Sequence, residues 1–404
     1  MRDRRRFKLG LMGRVGLFAV AAISVVVLSA CASSTPTSSD PAASAGASSA
    51  VAATSPAASA GVTQARAAVA AAFKGSFTVP PTTGPKAVGG KTVWTVSVGD
   101  SGGAGFITHA QQAAGKILGW TVHSCDGAYD PTKILSCMNQ AVAARPDGIF
   151  VNSIDCSQIE APLEAAKAAH IPVVMSFAVD CNQNVPAPDG PALATDTIPS
   201  TLYPTVPDYW TGIGTLEAQY LVAETNGDAK VINFVYDSNS GGYLVQKAIQ
   251  QVFAKECAKC AIYNVPIALT QVDVQDITSL FQSARLRYPD ANAFQAFSQT
   301  FFELGVDQQL KIRNGLVTVT SGGGDVNTGP ELAGGTVDAM VGYDQAWFGY
   351  AAADTMNRIF AGQPAVPEGI GLQLLEKGPN APKAAYAAPV DYPALYKELW
   401  TTGS

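Results

Sequence analysis

Charge is scarce in this sequence: only 14% of its 404 residues are Asp, Glu, Lys or Arg, and only three are histidine. The formal charge is −6, and six of the basic residues (Arg2, Arg4, Arg5, Arg6, Lys8, Arg14) fall within the first fourteen positions, so the body beyond them is more acidic still. Few, dispersed cations make no footprint for a phosphate backbone, which excludes a nucleic-acid binder. His109, His123 and His170 are read on a helix, in a strand and at a helix end, too scattered to serve one catalytic site or one metal, and no H-E-x-x-H occurs. A dinucleotide fingerprint begun at Gly103 continues through Gly105 but meets Thr108 where its third glycine belongs. These gaps leave no enzyme class with its parts and imply neither cofactor nor metal. What remains is 47% hydrophobic with 38 Gly and 25 Pro, the composition of a globular α/β chain long enough for two domains.

The basic head is followed by an almost unbroken apolar stretch of sixteen residues, 15–30, too short to span a bilayer comfortably and shaped like a secretory signal. Leu28-Ser29-Ala30-Cys31 resembles the lipobox of bacterial lipoproteins, in which Cys31 is lipidated and becomes the new N-terminus; an ordinary signal or an uncleaved anchor would equally place the remainder outside the cytoplasm. Arg4-Arg5-Arg6-Phe7 loosely resembles a twin-arginine signal. The expected organisation is a signal peptide at 1–30 and an Ala/Ser/Pro-rich tether at 31–90, too poor in large apolar side chains to order itself, with a short alanine-rich helix at 63–73. Ordered structure is expected from about residue 91, and the body is expected to sit outside the cell membrane, held to it by lipid.

Six further cysteines in an oxidising compartment allow fifteen pairings. Their positions on the expected elements favour Cys125 with Cys137, Cys156 with Cys181, and Cys257 with Cys260. The last pair has redox-motif spacing, but it joins a helix end to a strand rather than sitting at a helix N-terminus that would activate a thiol.

Strands are read at 93–98, 120–124, 148–152 and 171–176, alternating with helices at 106–118, 131–144 and 158–170; Asp130 and Pro131 form the cap and first turn of the second helix. Continuous apolar strands separated by amphipathic helices mean a parallel sheet covered on both faces. Periodicity fails between 179 and 208, where prolines crowd in. It restarts with helices at 212–225, 243–255, 276–287 and 302–313 and strands at 230–236, 261–265, 293–297 and 316–320. A late helix at 350–361 precedes an irregular tail, 364–404, with a short helix at 393–400.

Residues 129–151, with Ala144-Arg145-Pro146-Asp147-Gly148 before a strand, and 164–174, with His170-Ile171-Pro172-Val173-Val174, resemble type I periplasmic solute-binding proteins of the ribose and galactose kind. The resemblance runs from about 91 to 400. It implies an α/β fold of two Rossmann-like doubly wound lobes with parallel sheets, joined by a three-crossing hinge. The N-terminal lobe would be 91–180 plus about 344–362, and the C-terminal lobe about 208–343 plus about 363–404. It further implies a monomeric, non-enzymatic partner of a membrane ABC permease that takes a small-molecule solute, a sugar or a related polyhydroxylated or heterocyclic compound. The same fold also serves as a ligand sensor presented to a membrane receptor.

Open α/β sheets bind ligands beyond the carboxyl ends of their strands, which selects the loops to search. Matching the family's ligand positions yields Asp100, Ser101 and Phe106 after the first strand, and Phe177 or Asp180 after the fourth. In the second half it yields Asn239 and Tyr243, Ser298 or Gln299, Asp325, and Tyr343 at a crossing. Trp210 is a further wall candidate. The Asp-Arg pair of many sugar binders is missing at 177–180, and Tyr243 stands where an arginine often clamps the sugar. Phe106, Phe177, Tyr236 and Phe302 adjoin apolar runs and are equally readable as core.

Overall fold

The computed structural model describes residues 56–198, 202–236, 239–311, 315–322, 327–378 and 380–403. The expected signal peptide, the candidate lipidation site Cys31 and the first part of the expected tether lie outside them, as does Asp325. No helix among the described residues is long and apolar enough to cross a membrane.

In chain order the elements begin with α1 (Pro56–Ala72), β1 (Thr92–Ser97), α2 (Gly102–Leu118), β2 (Thr121–Asp126), α3 (Pro131–Ala143), β3 (Gly148–Asn152), α4 (Cys156–Ala168), β4 (Val173–Ser176) and β5 (Asp196–Thr197). They continue with α5 (Val206–Glu224), β6 (Lys230–Tyr236), α6 (Ser240–Glu256), β7 (Ala261–Ile267), α7 (Val274–Arg287), β8 (Ala293–Ala296), α8 (Asp307–Leu310), β9 (Val317–Gly322), α9 (Thr328–Gly334), β10 (Ala339–Gly342), α10 (Gln345–Phe360), β11 (Gln373–Glu376) and α11 (Tyr392–Thr402). Two sheets result, ordered β2-β1-β3-β4-β5 and β11-β10-β9-β8-β6-β7, parallel throughout except for the antiparallel β11. β3 and β4 are buried at every position, as an apolar strand covered on both faces must be.

Local chemistry accounts for the boundaries. Asp130 accepts the N–H groups of Thr132 and Lys133 at the start of α3, with Pro131 in the first turn. α5 begins at Val206, earlier than the proline-rich composition suggests, because Thr205 and Asp208 form a capping box and Pro207 is tolerated in the first turn. The helix expected at 302–313 is broken: Phe302–Val306 forms a π turn, Gly305 adopts φ +105°, and only Asp307–Leu310 follows as α-helix. Inside the first lobe a buried network fixes α2 on its sheet: Gln111 donates to Asn152 at 2.9 Å, and Thr95 donates to Gln111 at 2.7 Å.

The N-terminal segment departs from the expected tether. α1 is already helical at Pro56 and packs on α5 and α6 of the second lobe. The chain then runs as a strap toward β1: Ser76 N–H donates to Leu372 O at 2.9 Å, Thr78 N–H to Gly369 O at 3.0 Å, and Val88 N–H to Asn357 Oδ1 at 2.9 Å. Composition missed this because the helix is anchored by three small contacts, Val62, Ala65 and Val69, rather than a broad apolar stripe. The tail also differs: β11 pairs in the second sheet, yet α11 packs on α10 and α2 of the first lobe. Besides the crossings after β5, β10 and α10, the chain therefore passes between lobes in the strap and again before α11.

The three cystine bridges Cys125–Cys137, Cys156–Cys181 and Cys257–Cys260 are formed. Cys125–Cys137 ties β2 to α3, Cys156–Cys181 ties the start of α4 to the segment after β4, and Cys257–Cys260 closes the connection between α6 and β7. Asp196, on the short edge strand β5, has its carboxyl pushed up to about 6 by burial, against the pull of the Thr197 N–H. The folded state holds this proton more tightly than the unfolded chain, so stability declines as pH rises from about 4 through about 6 and stays lower above. Asp196→Asn is expected to stabilise the protein at pH 7.5 by about 1–2 kcal/mol, after discounting for partial exposure, and to change nothing at pH 4. Urea unfolding at the two pH values measures it; equal effects at both would refute the assignment.

Candidate functional site

The carboxyl ends of both sheets converge on one cleft. Val98 follows β1, Tyr129 follows β2, Ser153 follows β3 and Phe177 follows β4; Tyr236 ends β6, Leu269 follows β7, and Phe297, Ser298 and Thr300 follow β8. Tyr343 comes from the crossing after β10, Gln345 from the start of α10, Trp210 from the second turn of α5, and Asn239 from the N-cap of α6. The cavity opens to solvent at its mouth; the space inside it, counted out into that opening, is about 720 Å³.

Its wall is a chain of rings crossing from one lobe to the other. Phe177 lies 5.0 Å from Tyr343 and 4.1 Å from Trp210 between ring centres; Trp210 lies 5.0 Å from Phe297, and Phe297 5.4 Å from Tyr236. Gly241 permits this packing, since a Cβ there would stand 2.7 Å from the Trp210 indole. Three wall residues hold left-handed backbone: Tyr129 at φ +56°, Ser153 at +58° and Phe177 at +57°. Such strain in non-glycine residues persists where surrounding structure enforces it, and it concentrates at ligand sites.

Among the described residues, every polar side chain on the wall is uncharged: Tyr129, Ser153, Gln158, Tyr236, Asn239, Ser298, Thr300, Tyr343 and Gln345. Burial pushes the phenols of Tyr129, Tyr236 and Tyr343 up, so they remain neutral hydroxyls. The Tyr129 hydroxyl donates to Ser101 O at 2.9 Å, and Asn239 Oδ1 accepts the Gly242 N–H at 3.1 Å, so what that amide can still offer is its NH₂, a donor.

Of the residues the sequence singled out, the structure brings Phe177, Trp210, Asn239, Ser298 and Tyr343 together on this cavity. It does not bring Asp100, Ser101, Phe106, Asp180, Tyr243 or Gln299 onto the wall. Asp180 is a buried structural acceptor: Oδ1 takes the Cys181 N–H at 2.7 Å, and the carboxylate also takes those of Leu193 and Ala194. Gln299 donates to Glu331 at 3.0 Å beneath the site. Asp100 and Ser101 are exposed, with the Asp100 N–H on Asp126 Oδ1; Ser101 stands just before α2 on an ordinary extended backbone, with no side-chain cap bond. Residues 99–103 spell G-x-S-x-G, but that unstrained backbone is not the turn a serine nucleophile requires. Tyr243 lies under Lys247, 5.9 Å from its ring, and Phe106 is half-buried away from the cleft.

The sequence reading passed over Tyr129, Gln158, Leu269 and Gln345 and left Tyr236 as readily core as wall. The loop after β2 was not searched, although it obeys the same strand-end rule. Leu269 carries no signal of its own, being one leucine after a strand.

Two doubly wound lobes with strand ends meeting across an aromatic cleft define the type I two-lobed binding architecture. The chain belongs to the periplasmic binding protein family: the profile described as periplasmic binding protein domain matches residues 95–364, well over half of it. No curated protein sequence matches. Solved structures of similar fold include an ABC transporter solute-binding protein from Agrobacterium vitis with bound allitol, at 20% identity, covering 71% of this chain and 95% of that one, TM-score 0.59. Another from Agrobacterium vitis, bound with α-D-tagatopyranose, has 17% identity, 74% and 100% coverage, and TM-score 0.63. A third, from Mycobacterium smegmatis with bound glycerol, has 17% identity, 74% and 100% coverage, and TM-score 0.60.

Proposed function

We propose that this protein is the extracytoplasmic, lipid-anchored receptor of an ABC importer, and that it takes a small uncharged polyhydroxylated solute between its lobes and hands it to a membrane permease. The observation that carries this reading is the interlobe wall of aromatic rings and neutral hydrogen-bonding groups. Ring faces stack on the C–H faces of a sugar or cyclic polyol, while hydroxyl and amide groups take its hydroxyls. A carboxylate or ammonium would enter a desolvated site with no opposite charge on the described wall, at a cost of several kcal/mol. The relatives holding allitol, tagatopyranose and glycerol are consistent with that chemistry. Binding alone, with no bond made or broken, fits this wall, and Cys31 supplies the anchor.

Thermal shift against sugars, polyols, nucleosides, amino acids and sugar acids is the test. At a hundredfold excess over Kd, a true ligand contributes about 2.7 kcal/mol, which raises Tm by roughly 5 °C. The expected hit is a neutral sugar or polyol; a shift confined to charged amino acids or acids would overturn the reading. Loss of uptake of that solute on deleting the gene, with no change in a signalling output, assigns transport rather than sensing.

A further inference from the structure

Asp155 stands in the loop between β3 and α4 of the first lobe, at the position from which a side chain would cap α4, yet it makes no such hydrogen bond. Its carboxylate is instead shared between lobes. Oδ1 accepts the Val179 N–H of the same lobe at 3.1 Å, and Oδ2 accepts the Ser240 N–H at 2.7 Å, the first residue of α6 in the other lobe. Asp155 is 2% exposed, Ser240 7%. Asn239, the N-cap of α6, serves Gly242, so the Ser240 N–H depends on Asp155. A second contact accompanies it: Leu269, from the second lobe, packs against the core cluster of the first. Asp155 is absent from the cavity wall.

We infer that Asp155 is an interlobe latch, a positioning residue that holds the lobes together before solute arrives and never touches the solute. Opening must break the bond to Ser240 and expose both the carboxylate and the helix terminus, while the bond to Val179 moves with its own lobe. The latch rests on the binding-protein reading for its purpose, since a preformed closed cleft removes part of the conformational cost from the apparent affinity.

Hydrogen exchange with mass spectrometry on the solute-free full chain tests it. In the wild type, the first turn of α6 and the segment around Leu269 are protected; in Asp155→Ala both exchange about tenfold faster or more, and X-ray scattering shows a larger radius of gyration. Asp155→Asn, which keeps one acceptor and the side-chain shape, falls between and serves if the alanine variant does not fold. A merely structural aspartate would release Val179 and its loop while leaving α6 and Leu269 protected. That pattern, or a wild-type Ser240 amide that exchanges freely, overturns the latch. The two readings fail separately: a solute hit with an unprotected Ser240 removes the latch and leaves the receptor, whereas a protected Ser240 with no hit among neutral solutes does the reverse.

Discussion

Asp354→Ala is expected to cost about 3–5 kcal/mol and to lower Tm by roughly 5–10 °C. Asp354 and Arg358 face each other one turn apart on α10, with Nε to Oδ2 at 2.6 Å, and both are buried, at 0% and 4% exposure. The pair is a junction as well as a charge balance. The Trp400 indole N–H of α11 donates to Asp354 Oδ1 at 2.8 Å, and Arg358 Nη2 donates to Thr83 O of the strap at 2.6 Å. Nearby, the Tyr396 hydroxyl of α11 donates to Glu368, from the crossing after α10. Burial, and then Asp354 itself, push the Glu368 carboxyl well up, which disfavours a second negative charge beside the pair. Removing Asp354 strands a buried cation and unpins α11. Replacing both partners, as in Asp354→Leu with Arg358→Met, should recover much of the loss, because apolar groups of similar volume carry no desolvation cost. Chemical unfolding measures both; a single variant costing under about 1 kcal/mol would mean that water reaches the pair.

Trp210→Ala is expected to weaken solute binding by about a hundredfold, near 2.7 kcal/mol, by calorimetry with the solute the thermal screen selects. Trp210 is the central ring of the wall, 3% exposed, between Phe177 of the first lobe and Phe297 of the second. Its loss removes a stacking face and leaves a void that the strained Phe177 backbone cannot fill without shifting. Part of the cost falls on folding, so Trp210→Phe is the needed companion: it keeps a ring and most of the packing, and should retain affinity within about tenfold. If alanine and wild type bind equally, the ring wall is core and the ligand lies elsewhere.

Much of the architecture was legible because it is local. The alternation of apolar strand and amphipathic helix and the Asp130-Pro131 start of α3 depend on residues a few positions apart, and the cystine partners are only 3 to 25 positions apart. Short elements were not: β5, β10, β11 and α9 span two to seven residues, too few to establish a period. The site was half legible. The strand-end rule found the loops, and Phe177, Trp210, Asn239, Ser298 and Tyr343 proved to share the cavity. It could not say which way a loop side chain turns. Asp180 and Asp100 carry the right chemistry, but one is held by N–H groups of its own lobe and the other faces solvent.

By itself, then, the order of amino acids determined two α/β sheets, their covering helices and most of the strand-end loops that face the cleft, since these follow from periodicity and from the covalent nearness of caps and turns. Folding in three dimensions decided the rest. It placed α1 on the second lobe and α11 on the first, and it set Asp155 against α6, 85 residues away. It also brought rings from six separate stretches into one wall. Such choices turn on which buried surfaces and unpaired N–H groups meet when distant segments pack, and no pattern among neighbours in the chain records that.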